Sequence, residues 1–321
     1  MRGDMIMKVN KMWAYLIHLG ANMWGEPGSI KTNAPFHDYV ITEDHIWTKV
    51  IDALPSFGFN TVVIDIGDAM EYETHPEISI KGAWSKDKLR NELKRIRDLG
   101  LTPLPKLNFA ARHDAWLKEY SRMVSTPQYY QVCEDLIREV AEVFDYPEYF
   151  HLGMDEEWDT VNQGDNMIIV RPHRVWWHDV NFLFNVCDSI GARPWVWADP
   201  CWDNKDEYVK NMSKSAVQSN WYYGTVRKNP DGTYQRKEIQ TFCTLEEAGF
   251  DQVPAFSTCG GTYYNPQHIM QAGKDVIAPD RLLGFLSCPW FFTNDRFYYA
   301  LLSEANHFKY SKEMVFPEVG L

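Results

Sequence analysis

The sequence predicts an α/β protein of the (β/α)8, or TIM, barrel class, folded as a single domain over residues 1–321. Three observations predict it. Short apolar runs that do not alternate, the pattern of strands covered on both faces, recur eight times along the chain. A helical pattern separates each run from the next. The spacing is about 40 residues per strand–helix unit, the dimension of one barrel repeat. The hydrophobic content of 45% supplies a large core, and 24% charged residues exclude a disordered chain.

In order, the first strand is Trp13–Leu19. Thr42 reads as the cap of a helix carrying Ile46, Val50 and Leu54 at helical spacing, and Gly58 follows as a left-handed stop. The second strand, Thr61–Ile66, leads into a long loop from Asp68 to Trp84, placed to overhang the barrel mouth. Ser85 caps a helix with Leu89, Leu93, Ile96 and Leu99 on one face, ending at Gly100. After the third strand, Thr102–Asn108, Thr126 and Pro127 open a helix with Val132, Leu136, Val140 and Val143 as its stripe. The fourth strand is Tyr149–Met154. Its helix covers Arg171–Ile190, with Trp176 and Trp177 in outer-ring packing and Gly191 beyond its end. Strands five to eight are Pro194–Ala198, Ala216–Trp221, Val253–Thr258 and Leu283–Ser287. Helices after the fifth to seventh are fainter, around 203–212, 244–249 and 266–274; the last covers Asn294–Phe308, with Tyr298 and Tyr299 against the barrel. Lys228–Arg236 is a surface turn, marked by Asn229-Pro230-Asp231-Gly232.

Composition narrows the partners. A net charge of −12 repels nucleic-acid phosphates and anionic lipid, so neither nucleic acid nor membrane is expected as a partner. Aromatic residues reach 15%, with 13 Trp. Flat rings with a polar edge stack on sugar rings, which points to a carbohydrate substrate; large barrels also use aromatics in their cores. The six Cys, at 133, 187, 201, 243, 259 and 288, form no CxxC and no metal spacing, and they read as free thiols in a reducing compartment. The first 25 residues hold no apolar region with a cleavage site, and no stretch reaches 18 apolar residues, so the chain as written reads as cytoplasmic. A chain trimmed at its N-terminus would look the same. Oligomeric state is not legible.

The most informative stretch is Tyr149 to Trp158, where an apolar run passes Gly153 and ends in Asp155, Glu156 and Glu157 beside Trp158. Acids are depleted in strands. A strand that delivers carboxylates to its C-terminal end places them where barrel enzymes keep their chemistry. The other strand ends aim His18 and Asn22, Asp65 and Asp68, Asn108, Arg112 and His113, Trp197, Asp199 and Trp202, Trp221 and Tyr223, Tyr263, Tyr264 and Asn265, and Trp290 and Asp295 at the same mouth. Glycosidic cleavage needs a proton donor on the leaving oxygen and negative charge near the anomeric carbon, so one carboxyl must be held protonatable and another ionised. Adjacent residues of a regular strand point opposite ways. Asp155 and Glu156 share one pocket only if the strand ends there.

Alternatives stand beside this. His18, Asp65, His113, Asp155 and Asp199 are types that bind Zn²⁺, but the HxH of metallo-barrel first strands is missing, and no metal is expected. No GxGxxG, P-loop or GxSxG pattern occurs, and no cofactor is expected. His18 reads either as a core histidine or as a ligand, His113 either as a loop cap or as functional, and Glu157 as a helix cap or surface acid.

His151-Leu152-Gly153-Met154-Asp155-Glu156 resembles the His-x-Gly-x-Asp-Glu signature of glycoside hydrolase family 20, the β-N-acetylhexosaminidases. Weaker similarities follow in order: Pro105 to His113, Trp197 to Asp199, Tyr263-Tyr264-Asn265, and Gly284 to Trp290. The resemblance implies a retaining exo-glycosidase needing no metal. Glu156 would be the acid/base, and Asp155 would orient a 2-acetamido group whose oxygen is the nucleophile. Tyr263 would hydrogen-bond that oxygen, and Trp197, Trp221 and Trp290 would wall the sugar. It implies a barrel without the family's usual N-terminal α/β domain. The sequence departs from the family at four places, one of them Asn265 where its Tyr-x-Asp has Asp. Ile17-His18-Leu19-Gly20 lacks the first-strand Arg, Trp290-Phe291-Phe292 replaces Trp-x-Glu, and Pro105-Lys106-Leu107-Asn108 replaces Pro-Glu-x-Asp. Two further readings remain open: a glycosidase with Asp65 or Asp199 as carboxylate nucleophile, and a non-catalytic sugar-binding barrel.

Overall fold

The apolar runs become eight parallel strands in the computed structural model, which describes residues 11–23, 25, 35–157 and 171–318. They are β1 (Met12–His18), β2 (Thr61–Asp65), β3 (Thr102–Lys106), β4 (Tyr149–His151), β5 (Arg193–Trp197), β6 (Val217–Ser219), β7 (Ala255–Phe256) and β8 (Gly284–Ser287). The order in the sheet is β6-β5-β4-β3-β2-β1-β8-β7. Single bridges from Gln218 to Gln252 and from Trp221 to Ala255 bring β6 against the β7 segment and nearly close the ring. Trp158 lies outside the described residues.

Between the strands run α1 (Asp44–Ala53), α2 (Lys86–Asp98), α3 (Pro127–Val143), α4 (His173–Ser189), α5 (Lys205–Asn211), α6 (Lys237–Glu247), α7 (Asn265–Val276) and α8 (Tyr298–Val315). Ser85 accepts from the Lys88 N–H and Thr126 from the Tyr129 N–H, as N-caps do. Thr42 does not cap α1. Its hydroxyl donates to the carbonyls of His18 and Leu19 and ties down the end of β1. The sixth helix starts well before the predicted 244–249, because Ile239, Phe242 and Leu245 form its buried stripe. The eighth runs on to Val315, and Tyr299 on it is exposed rather than packed.

Two apolar layers result. Inside the barrel lie Ala14, Leu16, Val63, Leu104, Trp195, Val217 and Leu286. Outside it, the other strand faces meet the helices through Ile17, Ile64, Leu93, Leu136 and Phe150. A fully buried Leu, Ile or Phe contributes about 1.5–3 kcal/mol. This continuous double layer makes the strand ends a rigid platform. The register sets four polar residues in one row across β1 to β4: His18 opposite Asp65, Asp65 opposite Lys106, and Lys106 opposite His151. All six cysteines are free, four of them buried. Among the described residues, no helix is long and apolar enough to cross a membrane.

Candidate active site

The strand β4 stops at His151, three residues before the sequence pattern suggested. The cause is local. Gly153, Met154 and Glu156 adopt left-handed backbone, with φ of 73°, 72° and 55°. For Met and Glu that conformation costs about 1–2 kcal/mol each, so the surroundings must hold it. The Gly153 N–H donates to His151 Nδ1, the Met154 N–H to Asn108 Oδ1, and the Glu156 N–H to Asp199 Oδ2 at 2.9 Å. The twisted turn lets two sequential acids enter one cavity, which a regular strand forbids.

Gly153 is required twice over. Its φ is left-handed, and a Cβ there would stand 1.9 Å from Asn108 Oδ1. Gly153→Ala is expected to lower the unfolding free energy by about 2–4 kcal/mol through strain and displacement of Asn108. Urea titration measures it; a loss under about 0.5 kcal/mol, the scale of a neutral surface change, would refute the tight packing argued for this turn.

The cavity holds about 190 Å³ and is lined by Asp155, Glu156, His113 and Asn108, by Trp197, Trp221, Trp290 and Tyr223, and by Met23. It is small beside the roughly 300–1,000 Å³ of sites for drug-sized ligands, a size for one sugar ring. A larger depression of about 830 Å³ lies at the other end of the barrel, against Lys11, Thr61, Thr102 and Tyr149, where barrels keep stability rather than chemistry.

Asp155 is buried. Its Oδ1 accepts from Asn108 Nδ2 at 2.9 Å, and its Oδ2 lies 3.3 Å from His113 Nε2. Burial alone would raise its pKa. The charge and hydrogen bond of His113, aided by Asn108 and Lys106, outweigh burial and hold it at about 2. Glu156 is about one-third exposed, with Oε2 3.2 Å from His113 Nε2 and 3.4 Å from Arg112 Nε. His113 therefore bridges the two acids. Burial opposes its charge, but Asp155 and then Glu156 raise its pKa to about 10. At neutral pH it is a buried imidazolium beside an ionised Asp155.

The aromatic wall is continuous. Trp221 stacks on Tyr223 at 5.1 Å, Tyr223 meets Trp290 edge-on at 6.4 Å, and Trp290 lies 6.1 Å from Trp197. Tyr223 lines the cavity between Trp221 and Trp290, with its phenol in the wall.

Several predicted site residues stand elsewhere. Tyr263 is 58% exposed and stacks on His307, outside the cavity. It sits on the exposed turn after β7, and Tyr223 is the tyrosine that reaches the pocket. Asn265 is buried but faces backbone: it donates to the carbonyls of Tyr222 and Gly224 and accepts from the Ser257 N–H, fixing the loop that carries Tyr223. Asp199 lies behind the wall, accepting from the Glu156 N–H and from Trp221 Nε1. Burial, and then the charge of Asp155, push its pKa well up. Asp65 is 2.5 Å from Lys106 Nζ and 3.4 Å from His18, in a buried network behind Met23. His18 packs against Trp290 at 5.6 Å. Neither His18 nor Asp65 lines the cavity. Glu157 is neither a cap nor a surface acid; it is buried, receives Arg171 Nε at 2.8 Å, and accepts from the Ala111 N–H. Arg171 also holds Asp179 and so anchors α4.

Sequence reasoning missed Met23 as a wall and Arg171 as the partner of Glu157. The surplus acid of the Asp-Glu-Glu run was the available signal that a buried cation must exist. Of the His, Asp, Glu and Cys groups among the described residues, three that share one potential metal-binding point are Glu43, His45 and Asp295, on the surface and apart from the five metal-type residues above.

No protein-family model and no curated protein matches this chain. Solved structures do. The β-N-acetylhexosaminidase of Bacteroides fragilis NCTC 9343 aligns at TM-score 0.63 and 12% identity, over 97% of this chain and 71% of that one. The chitobiase of Flavobacterium johnsoniae aligns at 0.64 and 17%, over 94% and 48%. The family 20 exo-β-N-acetylglucosaminidase of Vibrio harveyi, solved with N-acetylglucosamine, aligns at 0.61 and 13%, over 92% and 54%. The chain thus spans about half the length of the last two, and at these identities the likeness is one of fold.

Proposed function

We propose that this chain is a retaining exo-glycosidase of β-N-acetylhexosaminidase type. The observation that carries the reading is the entry of Asp155 and Glu156, adjacent in sequence, into one Trp-walled cavity in different environments. Glu156, reachable from solvent, donates a proton to the departing glycosidic oxygen and later takes one from the attacking water. The carbonyl oxygen of the substrate's 2-acetamido group attacks the anomeric carbon as the leaving group departs, closing a five-membered ring. Asp155, ionised and fixed by Asn108 and His113, accepts the acetamido N–H and offsets the positive charge that develops there. The Tyr223 hydroxyl takes the part the family resemblance gave to Tyr263, a donor to the acetamido oxygen. Trp197 and Trp221 flank that group, and Trp290 faces the ring.

The carboxylate-nucleophile alternative loses support from the positions of its candidates. Asp65 is engaged by Lys106 and His18, Asp199 by the Glu156 N–H and Trp221, and neither lines the cavity. A matched pair of aryl β-glycosides with and without the 2-acetamido group tests the reading, together with a thiazoline that mimics the cyclised intermediate. Turnover is expected only with the acetamido group, and the thiazoline should bind about 10²-fold or more tighter than substrate. Equal turnover of the two glycosides, or a thiazoline that does not inhibit, removes the substrate-assisted mechanism. Sugar binding without turnover on any glycoside would favour the non-catalytic barrel.

A further inference from the structure

Asp199 is a buried carboxyl, 5% exposed, that stands outside the cavity and takes no part in the steps above. Burial and the charge of Asp155 both oppose its ionisation, so an acid is a costly choice at this position. The groups that bond it explain the choice. The Glu156 N–H donates to Oδ2 at 2.9 Å, and the Trp221 indole Nε1–H donates to Oδ1 at 3.3 Å. Both partners line the cavity. They arrive from different strand ends, Glu156 after β4 and Trp221 after β6, and β5, which carries Asp199, lies between those strands. Two N–H donors require an acceptor at each end of one side chain. A carboxyl provides that. An amide offers one acceptor end and one donor end, and a hydroxyl offers a single oxygen.

The carboxyl is itself firmly seated. It opens a short 3-10 turn, Asp199–Cys201, one residue after β5. The Ala198 N–H donates to the Ser219 carbonyl at 2.9 Å, and the Cys201 N–H to the Ala198 carbonyl at 3.0 Å. Trp202 follows. Its Nε1 donates to Asn220 Oδ1 at 2.7 Å, and its ring meets Trp221 edge-on at 4.6 Å. The turn is thereby tied to the end of β6 that carries Trp221. On the other side, Glu156 is held at a φ of 55°, a left-handed backbone that a side chain resists. Asp199 pins its N–H, and its carboxyl stands 3.2 Å from His113 Nε2. Release of the N–H lets the peptide rotate toward ordinary backbone, and the carboxyl turns with it. Release of the indole frees the ring that walls the sugar.

We propose that Asp199 is a positioning residue: by clamping the Glu156 N–H and the Trp221 indole at once, it sets the proton donor at a fixed place against the sugar wall. This rests on the glycosidase reading above and adds the residue through which its acid is aimed. The test uses aryl β-glycosides of N-acetylhexosamine with graded leaving groups. It compares wild type with Asp199→Leu, which has a similar volume and no acceptor, and with Asp199→Asn, which has one acceptor end.

Asp199→Leu should lower kcat on the poorest leaving groups by on the order of tenfold to a hundredfold, the scale of a misplaced catalytic group. That loss should shrink as the leaving group improves. In a Glu156→Gln background there is no proton to aim, and the same substitution should cost kcat less than about threefold, because two changes to one function do not add. The wall enters through KM, which should rise in both backgrounds. Asp199→Asn should lose less of kcat than Asp199→Leu, since its oxygen still serves one of the two donors. A loss that is equal over all leaving groups and in both backgrounds makes Asp199 a packing residue and overturns the proposal. Wild-type kcat in Asp199→Leu overturns it too. Should Asp199→Leu not fold, Asp199→Ala, which removes both acceptors without the bulk, takes its place under the same expectations. Should wild type hydrolyse no aryl glycoside, the glycosidase reading fails instead, and a crystal structure of the folded variant judges the clamp. A Glu156 carboxyl displaced from His113 supports it, and an unmoved Glu156 overturns it.

Discussion

Glu156→Gln should lower kcat by about 10²–10⁴ on substrates with poor leaving groups. Gln keeps the shape and one acceptor but has no proton to give. The deficit should shrink steadily as the leaving group improves, because a good leaving group departs without protonation. The side chain is about one-third exposed, so the substitution should leave the melting temperature within a few degrees. That separates chemistry from folding. Steady-state kinetics on a series of aryl glycosides of graded leaving-group pKa provide the measurement. A uniform deficit across the series would remove the acid role from Glu156, and no deficit would remove it from the mechanism.

The sequence carried the barrel because its strands are buried on both faces and its helices have one-sided stripes. Every predicted strand finds its place, since neither pattern has another stable partner. What the pattern could not carry were the ends. Tyr149–Met154 reads as one strand because Leu152 and Met154 are apolar, but the ladder stops where Gly153 and Met154 turn left-handed. A backbone turn of that kind leaves no periodic trace apart from a glycine. The site was legible in the same proportion. Asp155, Glu156, His113 and the three Trp depend on strand ends, which topology fixes. Tyr263 and Asn265 depend on the path of the loop after β7, which sequence spacing does not set. Tyr223, from the loop after β6, reaches the cavity because the buried Asn265 clamps that loop. The polar row behind Met23 was legible only in part, His18 and Asp65 as strand-end residues but not Lys106 as their partner. Lys106, Asp65 and His18 are far apart in sequence, and only the parallel register sets them side by side.

Asp155→Asn should damage both reaction and fold, and the two effects are separable. In the reaction, the amide no longer offsets the charge developing on the acetamido ring. The expected loss is about 10²–10³ in kcat, the scale of a removed preorganised electrostatic group. Unlike the loss in Glu156→Gln, it should persist for good leaving groups, since cyclisation still has to be stabilised. In the fold, the substitution takes from the buried His113 imidazolium the carboxylate that most raises its pKa. Breaking one side of such a buried pair costs about 3–5 kcal/mol. The cost should depend on pH with a definite sign. Asp155, depressed from 3.8 to about 2, adds stability above pH 3.8 that disappears as pH falls through 2. His113, raised from 6.5 to about 10, adds stability below pH 6.5 that disappears as pH rises through 10. The melting-temperature gap between wild type and Asp155→Asn should therefore be widest between about pH 4 and 6.5 and close on both flanks. Thermal melts from pH 3 to 10 measure it. A gap that stays constant across that range would mean that Asp155 and His113 do not hold each other charged, and the ionised carboxylate assigned to the acetamido group would have no basis.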